Sequence, residues 1–247
     1  MKLKHNHLGF HLVVVPVVIV IAVVVGFVGW KIYDGRPDPQ PLLTSNFVDI
    51  DKIDKISKFR SCQGHLVVPQ DESESRRSMK HYVILKSEYA GGGKVDVYSP
   101  VDGTIDSIST GRGEHLEGEV WIGNKHNDWK FSVLHLIVAS SLKEGDKVKA
   151  GQIIGKVADR GVDIVYGIGG GGEKVIDGYQ SPYVALDSTF NHMNESLLAQ
   201  YKTYGVQQSD MVYSKEFRDK NPCKLLEGGR GQLNDHEHPE DWVSLHR

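Results

Sequence analysis

"HLIVASSLKEGDKVKAGQIIGKVADRGVDIVYG", residues 135–167, decides how this chain is read. Short apolar runs, each of strand length, alternate with turns built on Gly145 and Gly151. No run reaches the ten or more residues of an amphipathic helix, so the stretch reads as consecutive β-strands. Upstream, "KVDVYSPVDGTIDSIS" (94–109) repeats the pattern, with Asp102-Gly103 as a turn expected to use a positive φ at the glycine. "EVWIGNKHNDWKFSVLHLIV" (119–138) reads as a hairpin with a polar turn at 124–128. "VDIVYGIGGGGEKVIDGYQSPYVAL" (162–186) reads as another, with its tip expected at Gly169–Gly172. That glycine run lacks the Gly-Lys-Ser/Thr ending of a phosphate loop.

The pattern predicts a mainly β domain over residues 59–186, followed by a docking helix over 187–205 with Ser188 as its cap and Gly205 as its stop. Phe190, Met193, Leu197, Leu198 and Tyr201 make the apolar face of that helix. Residues 206–247 read as a polar tail whose end Trp242, Val243 and Leu245 could pin. Before the domain, residues 31–58 read as a juxtamembrane linker: three prolines stiffen 34–46, and "FVDIDKIDKISKF" (47–59) fits a short helix or an entering strand.

Residues 12–30, "LVVVPVVIVIAVVVGFVGW", carry no charge after an 11-residue flank. A helix of that length spans roughly 30 Å, the hydrocarbon thickness of a bilayer. Pro16 lies in its first turns, and Trp30 and Tyr33 suit the far interface. The run is longer than a signal-peptide core and no small-x-small cleavage site follows, so it reads as a transmembrane signal anchor in the cytoplasmic membrane. Lys2 and Lys4 bias the N-terminus inside and the main domain outside. A net charge of −3, with no basic run among aromatics, argues against nucleic acid as a partner. Cys62 and Cys223 are a disulfide candidate in an extracytoplasmic domain, two unrelated thiols being the alternative.

At "YSPVDGTIDSI" and "FSVLHLIVASSLKEGDKVKAGQIIGKV" the residues resemble the duplicated-hybrid-motif barrel of lysostaphin/LytM-type zinc endopeptidases, which cleave peptidoglycan cross-bridges. The resemblance covers residues 98–157 well and 62–186 more loosely. It implies a barrel-sandwich fold, a Zn²⁺ site with an open position for water, and ligands from an early His-x-x-x-Asp and a late His-x-His. His135, followed by Leu136, matches the family's His-Leu histidine, a catalytic position that helps polarise the water. The other motifs are not intact. His65 is followed four residues on by Pro69 and His81 by Leu85, while the late strand is "VDIVY". On that strand Asp163 and Val165 share one face, Ile164 and Tyr166 the other. His65, His81 and Asp163 are therefore the metal-ligand candidates of a rearranged site, with Asp71, Glu72 and Glu74 as a solvated acidic loop nearby. His115 and His126 fall in turns, and His236 and His238 in the polar tail.

Three functions follow as expectations. The first is a degenerate, non-catalytic envelope domain that binds peptidoglycan or an envelope protein. The second is a divergent endopeptidase with Zn²⁺ held by His65 or His81 and a carboxylate. The third, a lipoyl or biotinyl carrier, needs a lysine at a hairpin tip between Met or Ala; Lys125 has neither neighbour.

Overall fold

The computed structural model describes residues 42–111, 117–124, 127–228, 230–234 and 238–246. The expected membrane segment 12–30 lies outside the described residues, as do His115, Lys125, His126 and His236. Among the described residues no helix is long and apolar enough to cross a membrane.

The chain is mainly antiparallel β. Its strands are β1 (Ile53–Ser57), β2 (His81–Leu85), β3 (Asp96–Tyr98), β4 (Gly103–Ser109), β5 (Gly118–Asn124), β6 (Asn127–Val138), β7 (Lys147–Val148), β8 (Ile153–Val157), β9 (Gly161–Ile176), β10 (Tyr179–Asp187) and β11 (Trp242–Ser244). They form one branched sheet in the order β11-β1-β2-β9-β6-β5-β4-β7, with β10 added on β9 and β3-β8 added on β6. Two short helices, α1 (Glu195–Thr203) and α2 (Lys215–Lys220), follow β10.

Alternation along the central strands separates two apolar layers. Val83 and Leu85 of β2, Phe131 and Val133 of β6, and Val162, Ile164 and Tyr166 of β9 point into the larger core. Val165 of β9 points the other way, into a second cluster with Phe59, Leu66, Met79, Tyr183 and Leu233. Asp163 is on that second face, two residues before Val165. A strand covered on both faces reads as a nearly unbroken apolar run, as "VDIVY" does.

Several local expectations are corrected. The linker ends earlier than residue 58: Leu43, Phe47 and Val48 are fully buried in the larger core, and residues 47–59 resolve into a 3₁₀ turn (Ile50–Lys52) and strand β1. Gly103 begins β4 and is not a positive-φ residue; a Cβ there would lie 2.8 Å from Ile122 Cγ2, so close strand approach is what requires glycine. Gly169–Gly172 lie within β9, and the hairpin turns at Asp177-Gly178, both at positive φ (48° and 82°), joining Ile176 to Tyr179. An Asp-Gly pair satisfies that turn far more cheaply than the glycine run would. Ser188 caps a 3₁₀ turn over Thr189–His192, and α1 starts later, capped by Asn194, whose side chain accepts the Leu197 N–H. The tail is part of the domain: β11 pairs with β1, and Val206, Met211 and Leu233 are buried.

The segment preceding β2 is held to the tail by the Cys62–Cys223 disulfide, across a sequence separation of 161. Beside it Arg218, 2% exposed, donates to Asp241 (3.1 Å) and to the Arg60 carbonyl (2.7 Å). Buried Arg77 pairs with Glu74 and Asp219. These neutralised cations fix the floor of the second layer, where an unpaired charge would be costly.

Candidate functional site

The second face of the sheet places one row of residues across four strands, polar except at Leu134. Tyr82 of β2 lies opposite Asp163 of β9, which lies opposite Leu134 of β6, which lies opposite Glu119 of β5. Asp163, 5% exposed, is at the centre of this row. Lys80, two residues before Tyr82 and so on the same face, is 4% exposed. Its Nζ donates to Asp163 Oδ2 at 2.6 Å and sits 4.6 Å from the centre of the Tyr82 ring.

His135 reaches the same carboxylate by a different device. It is the extra residue of a β-bulge, because Gly118 pairs with Leu136 and Glu119 with Leu134. Its φ is 65°, a left-handed conformation uncommon outside glycine. At this point β6 leaves β9, its partner up to Leu134, for β8, its partner from Leu136. The bulge turns the imidazole toward Asp163, with Nε2 at 3.2 Å from Oδ2 and Nδ1 at 2.7 Å from Glu117 Oε2.

Both ring nitrogens thus face carboxylates, and the hydrogen bond to Asp163 raises the His135 pKa to about 9 against the opposing effect of burial. Burial disfavours the charged form of Lys80, but the Asp163 carboxylate overcomes it and holds the ammonium well above its ordinary pKa. Burial would raise Asp163; Lys80 and His135 together keep it below the usual carboxylate range. Burial pushes Glu119 up, although the Ser132 hydroxyl (2.8 Å) and the Trp121 indole donate to it. The result is a closed arrangement of two cations and two carboxylates, Lys80–Asp163–His135–Glu117.

Of the metal-ligand candidates, the structure brings Asp163 and His65 to this place and sends His81 elsewhere. His65 follows a turn at Gly64, stacks on Tyr179 (5.5 Å between ring centres) and donates its backbone N–H to the Tyr82 hydroxyl. Crowding by its neighbours, then the Lys80 charge, lowers its pKa. His81 shares the core face with Val83 and is 1% exposed. Its Nδ1–H donates to the Ser57 carbonyl (2.7 Å), so Nε2 accepts from the Ser188 hydroxyl (2.9 Å). Burial lowers its pKa to about 4, as expected of a neutral core imidazole. One-residue offset from Lys80 decides this: odd positions of β2 face the larger core, even ones the polar row. Glu72 pairs with Lys174 and Glu74 with Arg60 and Arg77, while Asp71 holds its own turn through Ser73 N–H.

The donor set does not fit zinc as it stands. Asp163 Oδ2 is taken by the Lys80 ammonium, and His135 presents N–H groups where a ligand needs a lone pair. Among the described residues, Cys62, His238 and Asp241 alone bring three ligand-type atoms within 4.8 Å of one another. Cys62 has no thiolate to offer, being disulfide-bonded, and Asp241 belongs to Arg218.

Beside the cluster opens a cleft of about 960 Å³ between β5 and the β9–β10 hairpin. Lys80 and Glu119 form its inner wall; Trp121, Tyr179 and Tyr183 supply aromatic faces, and Arg230 stands at its edge. Lys80, Tyr82, Glu117 and Glu119 had no motif to reveal them. The alternation "MKHYVIL" marks Lys80 and Tyr82 as same-face residues, but only pairing with Asp163 gives that face a chemistry.

No family model matches the sequence, and no curated protein matches it. Among solved structures the chain is similar to lysostaphin, with a TM-score of 0.30 and 17% identity over 45% of this chain and 48% of that one. It is also similar to the crystal structure of a putative glycyl-glycine endopeptidase, LytM, from Ruminococcus gnavus, with a TM-score of 0.29 and 15% identity over 54% of this chain and 58% of that one. The chain thus spans about half the length of either match.

Proposed function

We propose that this chain is a membrane-anchored, extracytoplasmic, lysostaphin-like domain that has no peptidase chemistry and binds peptidoglycan or an envelope protein through the cleft beside Lys80. The observation that carries the reading is the pairing of Asp163 with Lys80 and of both His135 nitrogens with carboxylates. A histidine so engaged has no free nitrogen for a proton, and an aspartate so engaged has no free charge for a metal. The residue resemblance around His135-Leu136 and residues 143–155 supports the lysostaphin-like assignment. The uncharged run 12–30 supports the anchor. The aromatic faces of Trp121, Tyr179 and Tyr183 suit a ligand that presents flat apolar faces, as sugars and peptides do.

The test uses the detergent-solubilised full chain and insoluble peptidoglycan, reading co-sedimentation and release of soluble fragments together. The expected result is co-sedimentation, weakened at least tenfold by Trp121→Ala with Tyr183→Ala, and no fragment release with or without added zinc. Chelator-sensitive release of fragments would restore the endopeptidase reading. Neither binding nor release would turn the search to an envelope protein as the occupant of the cleft.

A further inference from the structure

Resting on the reading of the cluster as non-catalytic, we infer that Lys80 is the resident cation of this site: a tethered ammonium that takes the place of a divalent metal, so that removing it makes the site require, and accept, a cation from solution. A carboxylate that is 5% exposed does not persist as an anion without a positive partner. In a metal centre the ion is that partner. Here the partner is covalently part of the chain, one residue before β2, the strand that pairs with Asp163, with Nζ at 2.6 Å from the oxygen a metal would bind.

The surroundings fit a small, nearly buried cation. The Tyr82 ring centre lies 4.6 Å from Nζ, His135 shares the same oxygen at 3.2 Å, and Glu119 lines the adjoining cleft with Lys80. A lysine side chain brings its own charge and fills its own volume, so the site is satisfied at any concentration of metal. Adding a divalent ion to the native cluster would place two further charges beside an ammonium and an imidazolium. With Lys80 shortened, Asp163 and His135 remain side by side as an acid and an imidazole, and His65 stands near enough for its pKa to respond to Asp163 and His135.

The experiment compares the full-length protein with Lys80→Ala and Lys80→Met, each titrated with Co²⁺ and followed by visible absorption, and with Zn²⁺ and propylammonium followed by thermal unfolding. The native chain is expected to show no site-specific Co²⁺ spectrum and no change in unfolding temperature. Lys80→Ala is expected to bind Co²⁺ at one site at least tenfold more tightly than the native chain, with Zn²⁺ or propylammonium raising its unfolding temperature. Adding Asp163→Asn should abolish these effects. A Lys80 variant that unfolds is tested by refolding on Zn²⁺, where recovery supports the inference and failure to recover overturns it. Native binding as tight as that of the variant also overturns it. Folded variants that take up neither metal nor amine overturn the inference alone, leaving the non-catalytic reading standing; zinc-dependent fragment release by the native chain overturns both.

Discussion

Lys80 and Asp163 are worth more together than either is alone. Lys80→Met leaves a buried carboxylate with His135 as its remaining counter-charge among the described residues, and is expected to cost about 3–5 kcal/mol. Lys80→Met with Asp163→Leu removes both charges and should recover most of that loss, which urea unfolding of the two variants would measure. The two structural histidines set opposite limbs of a pH profile. His135 is raised to about 9, so its contribution is complete below its unfolded pKa near 6.5 and is lost as pH rises through 9. His81 is lowered to about 4, so its contribution is present above 6.5 and is lost as pH falls from 6.5 towards 4. Stability should therefore peak near pH 6.5–7, and His135→Gln should flatten the alkaline limb only. A profile unchanged by His135→Gln would remove the imidazolium from the account.

Strand β9 is the element on which the site depends. Its start pairs with β2, its middle with β6, and the part beyond Tyr166 with β10, so it carries Asp163 into contact with residues from both neighbours. Its glycines serve different ends. Gly161 has an ordinary strand conformation, but a Cβ there would lie 1.9 Å from the Val83 carbonyl oxygen. Gly161→Ala must push β2 from β9, and should cost at least about 2 kcal/mol and disturb the Lys80–Asp163 distance. A Cβ on Gly178 would make only ordinary contacts, with Arg230 Cα at 3.7 Å, but its φ is 82°, so Gly178→Ala carries backbone strain, about 1–2 kcal/mol, without touching the cluster. Equal costs at both positions, by chemical denaturation, would contradict this division. The Gly169–Gly172 run drew the turn away from Asp177-Gly178 on composition, because period and content do not tell a flexible tip from a strand that lies close against its neighbours. Gly170 is such a place: a Cβ would meet the Gln70 side chain at 2.7 Å.

Across the molecule, the tail completes the layer behind the site. The disulfide joins Cys62, ahead of β2, to Cys223 in the tail, and Arg218 donates to Cys62 Sγ at 2.8 Å. Replacing both cysteines by serine should lower stability by about 2–5 kcal/mol, since the closed loop is long. The loss should appear first as hydrogen exchange in β11 and around Leu233, which pack the tail onto the domain. Protection lost uniformly across all strands would instead mean that the cross-link holds the whole fold.

Short apolar runs, Gly145 and Gly151 in their turns, and the alternation in "VDIVY" were enough to read a mainly β domain and to place Asp163 and Val165 on one face. These are properties of neighbours in the chain, where a period of two or a positive φ leaves a local mark. The site has no such mark. Lys80 meets Asp163 across 83 residues, His135 reaches it through a bulge, and His81 is turned to the core by a single step along β2. Register between distant strands decides which charges meet, because the same residue types shifted by one position would face the opposite layer.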